Sequence, residues 1–310
     1  MEQLAQQQFT KQFINGEWKD GSSTKSITSY NPYNGEELVT IQAANQQDLD
    51  DAYEAAARAQ KVWEATPLVE KQQRFEQLVA VLQSKRELII DWLINEAGGT
   101  KLKATSEFNS ALRIVKESAS FLTRLTGQIL PSYVPNKENR VYRTAKGVIG
   151  VIGPWNFPFL LSMRSIAPAI ATGNGVVIKP ASDTPVTSGL LFGEIFEEAG
   201  FPAGLVNVIV GRGSEIGDAF VQHPIPSLIS FTGSTEVGRR IGELAGYHLK
   251  DVALELGGNN VMVVLKDANI ERAARAAAFG KFMHQGQICM ALNRIIVEKG
   301  LDGNGTTVKI

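Results

Sequence analysis

The stretches GVIGVIGPWNFP (residues 147–158) and ATGNGVVIKPAS (residues 171–182) decide how this chain folds. In the first, Val148–Ile152 is a β-branched run bounded by Gly147 and Gly153. In the second, residues 176–179 form another apolar run between glycine and proline. Residues 205–210, 228–231 and 252–256 repeat the pattern, and helix-length stretches such as 187–199 and 236–245 lie between them. Strands that are almost continuously apolar and alternate with helices predict a parallel sheet covered on both faces.

Right-handed crossovers then make the expected fold α/β: a doubly wound, Rossmann-like parallel sheet. Toward the N-terminus, residues 12–20 predict a hairpin turned by Asn15-Gly16. Residues 48–126 predict helices, with Phe75, Leu78, Val79 and Leu82 forming one buried stripe. Pro131 and Pro135 interrupt, and residues 139–146 predict an extended, polar, exposed arm. Toward the C-terminus a new α/β unit is expected from Gly257-Gly258, with strands at 260–265 and 294–298 around a helix at 270–283.

A formal net charge of −1, with no basic cluster, excludes a strong field for nucleic acid or acidic membranes. One cysteine excludes an internal disulfide and predicts a reducing compartment. The polar start, MEQLAQQQFT, predicts no secretory signal, and no apolar run approaches the roughly 18 residues of a membrane span. A cytoplasmic protein is the resulting expectation.

Open parallel sheets bind ligands beyond the carboxyl ends of their strands. FTGSTEVG (residues 231–238) falls at such a place. Gly233 allows a tight turn, and Ser234 or Thr235 can cap a helix whose free N–H groups can hold a phosphate; the same residues serve equally as a plain N-cap. The G-x-G-x-x-G signature is absent. Cys289 follows the polar, glycine-containing Gln285-Gly286-Gln287-Ile288, although a lone cysteine is more often a small buried hydrophobe than a nucleophile. His284 lies nearby in sequence, but residues five apart on a helix do not share a face, so a Cys/His protease pairing is not supported. Three scattered histidines and one cysteine predict no metal site. Glu255 interrupts an apolar strand, where a carboxylate is costly unless used, paired or turned to solvent. Asn156, between Pro154 and Pro158, is either a functional amide or a turn residue.

With GFPAGLVNVIVG (200–211), ALELGGNN (253–260) and QGQIC (285–289), these motifs resemble the aldehyde dehydrogenase superfamily, in family order over roughly residues 12–299. The resemblance implies oxidation of an aldehyde to a carboxylic acid with NAD or NADP through a cysteine thiohemiacetal and thioester. Cys289 would be the nucleophile, Asn156 the oxyanion donor and Glu255 the general base of hydrolysis. The implied cofactor residues are Lys179 at the adenosine ribose, Trp155 and Ser234 at the pyrophosphate, and Ile152, Gly153 and Pro154 beneath the nicotinamide, with Gly213, Phe231, Gly233 and Leu256 completing the set. Ser182 stands where NAD-preferring members usually carry glutamate, and serine tolerates a 2′-phosphate. KPASDTP (179–185) looks most like members acting on benzaldehyde or vanillin.

The resemblance also implies an NAD(P)-binding domain from residues 1–128 and 148–256, an oligomerisation arm at 129–147, and the start of a catalytic domain at 257–310. Family members are longer, and GLDGNGTTVKI (300–310) does not resemble their helical continuation, so a C-terminally truncated chain is expected. The full-length form would be a homodimer or homotetramer. The alternative is a catalytically inactive nucleotide-binding fragment. An acylating relative using coenzyme A is disfavoured by Glu255, which thiol transfer does not need. A cofactor-free cysteine hydrolase is disfavoured because no histidine is placed to serve Cys289.

Overall fold

The computed structural model describes residues 8–299, so the polar start read for a signal (residues 1–7) and the tail at 300–310 lie outside the described residues. The chain divides into two units, Met1–Glu255 and Leu256–Ile310. The first begins with the expected hairpin, Gln12–Ile14 (β1) and Glu17–Lys19 (β2). A second hairpin, Ser26–Tyr30 (β3) and Glu37–Gln42 (β4), has no counterpart among the sequence expectations. Four helices follow: Gln46–Ala65 (α1), Leu68–Ser84 (α2), Arg86–Asn95 (α3) and Lys101–Arg124 (α4). Asn45 and Asp48 start α1 with a reciprocal capping box, and α2 buries Phe75, Leu78 and Leu82 as its periodicity predicts. Gln128–Leu130 (β5) and Asn139–Val141 (β6) pair as an antiparallel ribbon, exposed throughout.

The alternating region then unfolds in order. Val148–Ile152 (β7), Pro158–Ala171 (α5), Gly175–Lys179 (β8), Leu191–Glu198 (α6), Val206–Val208 (β9), Asp218–Gln222 (α7), Pro226–Thr232 (β10), Thr235–Tyr247 (α8) and Asp251–Glu255 (β11) complete the unit. The sheet runs β11-β10-β7-β8-β9-β1-β2, with β7 to β11 mutually parallel and β1 antiparallel to β9. From the central β7 the chain steps outward through β8 and β9, then returns to the other side for β10 and β11. That is the dinucleotide-fold order, and its reversal point lies between β7 and β10.

Helices cover both faces. Gly150 of β7 lies against Tyr53 of α1 and Phe220 of α7. The next residue, Val151, points the opposite way. Its partner Ser230 shares a hydrogen bond of 2.8 Å with Ser165 of α5. Helix α5 has no counterpart among the sequence expectations. Pro158 occupies the first turn, where a missing N–H costs nothing, and Pro168 is accommodated inside. Edge strand β11 is mostly exposed, unlike the fully buried β7 and β8.

The second unit contains Asn260–Val264 (β12), Ile270–Phe282 (α9) and Leu292–Val297 (β13). The two strands pair in parallel and Asn269 caps the helix. No described helix is long and apolar enough to cross a membrane.

A buried carboxylate ties the first unit together. Glu96, at the end of α3, accepts from Ser29 Oγ of β3 at 3.0 Å, Val186 N at 3.0 Å, Thr187 N at 2.7 Å and Thr187 Oγ1 at 2.5 Å. Burial pushes its carboxyl from 4.5 up to about 7, while those donors pull downward. The folded state therefore holds this proton more tightly than the unfolded state. Stability tied to it is full below about 4.5 and is lost as pH rises through about 7, a span worth about 3 kcal/mol. Denaturant titrations of the chain and of Glu96→Gln should show the variant less stable at pH 5, with the gap narrowing toward pH 8; a gap that does not change with pH contradicts this.

Candidate active site

The strand registers bring the carboxyl ends together. Ile152 of β7 sits beside Lys179 of β8 on one side and Phe231 of β10 on the other, and Thr232 sits beside Glu255 of β11. One sheet edge thus carries, in order, Lys179, the loop after Ile152, the loop after Phe231, and Glu255. The reversal point, where open α/β sheets bind ligands, falls between the two loops.

Each position has a local cause. Gly153 donates its N–H to the Lys179 carbonyl at 3.0 Å, and a β-carbon there would stand 2.6 Å from Ser162 Oγ, so a larger residue would have to displace α5's Ser162 side chain. Pro154 is buried and Trp155 is exposed on the rim. Asn156, half-buried, accepts from Phe157 N at Oδ1 (2.9 Å), which directs the donating end of the amide, Nδ2, away from that contact. Gly233 donates to the Glu255 carbonyl at 3.0 Å. Ser234 is the N-cap of α8, accepting from Val237 N at 3.3 Å, so its hydroxyl performs the capping role as well as standing at the loop.

Lys179 is 5% exposed, and its Nζ donates to the carbonyls of Pro180 (3.1 Å) and Gly211 (3.2 Å). No described carboxylate pairs with it, and burial lowers its ammonium to about 8. Ser182 is half-buried nearby in sequence, and Gly213 is exposed with open space where a side chain would stand. Glu255 is exposed rather than enclosed by its apolar strand, with Arg164 Nη2 of α5 at 3.7 Å, a neighbour the sequence did not flag. These two, with Ser165, Ser230 and Thr232, line a cleft of about 830 Å³; of the expected site residues only Glu255 reaches it.

Cys289 and Leu256 belong to the second unit. Cys289 is half-buried in a turn and accepts from Asn260 Nδ2 at its backbone oxygen (2.7 Å). A β-carbon on Gly258 would come within 2.9 Å of that same oxygen, so the Gly257-Gly258 step lets β12 approach the cysteine turn. Helix α9 ends at Phe282, one residue short of the expected bound, and His284 (φ 46°), Gln285 (φ 55°) and Gly286 (φ 78°) follow in left-handed conformation. For the two non-glycine residues that costs about 1–2 kcal/mol each. Among the described residues no cluster of metal-ligating side chains occurs.

The family model for the aldehyde dehydrogenase family matches residues 18–304. This chain belongs to the aldehyde dehydrogenase family. A vanillin dehydrogenase of Corynebacterium glutamicum is 57% identical over 291 residues, covering 93% of this chain and 60% of that protein. A benzaldehyde dehydrogenase of Bacillus subtilis is 50% identical, covering 95% of this chain and 61% of that protein. The crystal structure of an NAD-dependent benzaldehyde dehydrogenase from Corynebacterium glutamicum superposes with a TM-score of 0.91 at 55% identity, covering 95% of this chain and 64% of that one. The chain thus spans about 60% of the length of these aldehyde dehydrogenases.

Lys179 carries its charge without an acidic partner among the described residues, which costs stability while the ammonium is charged. The sign follows: folding is penalised below about 8, and the penalty fades as pH rises toward 10.5. Lys179→Met should therefore unfold at higher denaturant than the parent at pH 7, by an amount on the order of 1–3 kcal/mol, with the advantage shrinking between pH 8 and pH 10. A variant less stable than the parent at pH 7 would contradict this account of the site.

Proposed function

We propose that the complete protein oxidises an aromatic aldehyde to its carboxylic acid with NAD or NADP. The observation that carries this reading is the single sheet edge on which Lys179, the Ile152–Trp155 loop, the Phe231–Ser234 loop and Glu255 stand in register around the reversal point. The names of the vanillin and benzaldehyde dehydrogenases similar to this chain support the substrate class.

The residues present fit a dinucleotide. The buried Lys179 ammonium has three N–H donors and only carbonyl partners, so it suits ribose hydroxyls or a phosphate. Trp155 and Ser234 would flank the pyrophosphate, and Ile152, Gly153 and Pro154 the nicotinamide, with Gly213, Phe231, Gly233 and Leu256 completing the contacts. No carboxylate occupies the Ser182 position, so a 2′-phosphate meets no repulsion there. Bound NAD or NADP would supply the oxidising equivalent.

Cys289, as thiolate, would attack the aldehyde carbon to form a thiohemiacetal, and oxidation would leave an acyl thioester on the same sulfur. Asn156 Nδ2 would donate to the developing oxyanion; losing one such donor costs roughly 10²–10³ in rate. Glu255 would take the proton of the water that hydrolyses the thioester. In this reading residues 1–128 and 148–256 form the nucleotide-binding domain and residues 257–310 begin the catalytic one. The exposed β5–β6 ribbon, which begins at Gln128 and overlaps residues 129–147, would serve assembly into a homodimer or homotetramer.

Calorimetric titration of this chain with NAD and with NADP tests the nucleotide half. Binding should weaken at least about tenfold in Lys179→Ala, the loss of about 1.4 kcal/mol of contact. Turnover of benzaldehyde by the complete protein, followed by reduced nicotinamide absorbance, should vanish in Cys289→Ala. A folded chain that binds neither nucleotide overturns the reading. Binding without turnover in the complete protein would assign a nucleotide-binding role alone.

A further inference from the structure

Helix α5 starts without a cap of its own. Phe157 offers no side-chain acceptor, and Pro158 has no N–H. The next two amides, Phe159 N and Leu160 N, donate instead to Glu107 Oε1 of α4, at 2.9 and 3.2 Å. The other carboxylate oxygen of Glu107 holds Lys103 Nζ at 2.5 Å. The same ammonium lies 4.4 Å from the centre of the Phe157 ring. Lys103 is 3% exposed and Glu107 0%. Burial works against both charges, and their mutual attraction opposes it.

A buried ion pair is a poor device for stability alone, since well-packed apolar side chains often serve as well. Helix α4 already buries Ala104, Phe108, Ala111 and Val115 on that side. What the pair does locally is grip a short step of chain from both ends: Lys103 holds Phe157 by its ring, and Glu107 holds the two residues after Pro158 by their amides. Asn156 is joined to that step by its own side chain, because Phe157 N donates to Asn156 Oδ1.

We propose that Lys103 and Glu107 are positioning residues for Asn156, holding the Phe157 amide where it sets the direction of the Asn156 Nδ2 donor. The catalytic consequence rests on the reading of Asn156 as the oxyanion donor, whereas the mechanical coupling can be measured without it. Glu107 then plays at a distance the part that an N-cap serine plays within its own helix.

The test is the side-chain amide signal of Asn156 in the 310-residue chain carrying ¹⁵N-asparagine, identified by its loss in Asn156→Ala. In Glu107→Gln and Lys103→Met the signal should shift or broaden, with Glu107→Asp nearer the parent than Glu107→Gln. Asp48→Asn, which removes the buried carboxylate that caps α1, is a control for general loosening and should leave the signal in place. Lys103→Met, close to lysine in length, keeps the comparison informative if Glu107→Gln does not fold. An unmoved signal in folded Glu107→Gln or Lys103→Met, or an equal displacement by Asp48→Asn, overturns the proposal. In the complete protein, Lys103→Met should lower kcat for aldehyde oxidation roughly 10- to 100-fold at little change in KM. A displaced signal with unaltered kcat would remove the role assigned to Asn156 and leave the coupling standing.

Discussion

Parallel strands cannot be joined by tight turns, so each must return through a crossover before its neighbour begins. Everything of interest in the first unit follows from that constraint on β7, β8, β10 and β11. Their carboxyl ends are obliged to share one edge, and hydrogen-bonded register leaves no freedom in which residues meet there. Ile152 is beside Lys179 and Phe231, and Thr232 beside Glu255, because the strands behind them are paired residue by residue. Buried β7 is central to this, since it carries a partner on each side and leaves the sheet through the glycine at 153.

Three buried charges show how differently this unit treats a cost of the same kind. Glu96 is surrounded by donors from β3 and from the turn before α6, which makes it a link among segments. Glu107 divides its two oxygens between a lysine and the start of α5. Lys179 alone of the three faces only neutral carbonyls. The first two are satisfied within the fold. The third is held at the sheet edge by two carbonyls, and burial lowers its ammonium to about 8.

The second unit concentrates backbone strain at one step. Two consecutive non-glycine residues in left-handed conformation stand just after α9, and the cysteine turn follows them directly. Such conformations persist only where neighbouring structure enforces them, and they concentrate at functional positions. Asn260 and the Gly257-Gly258 step supply part of that enforcement by bringing β12 against the Cys289 carbonyl.

The apolar runs of β7, β8, β10 and β12, the stripe of α2 and the first hairpin were legible in the sequence because each is a local pattern: the period of a strand, the period of a helix, a turn dipeptide. Motif order likewise carried the family, since the residues of a motif are neighbours in the chain. Helix α5 was not read from the sequence; one of its prolines sits where a helix tolerates it and the surrounding packing accommodates the other. The left-handed turn before Cys289 was not read from the sequence, because the enrichment of histidine at positive φ is too weak a local signal and glutamine carries none. What the tertiary structure alone decided is strand order, the exposure of Glu255 beside Arg164, and the partners of Glu96, Glu107 and Lys179. Those depend on groups brought together from far along the chain, as when Gln12 bonds the Val210 backbone across 198 positions. No local period encodes a meeting at that separation; only the closed packing of sheet against helices selects it.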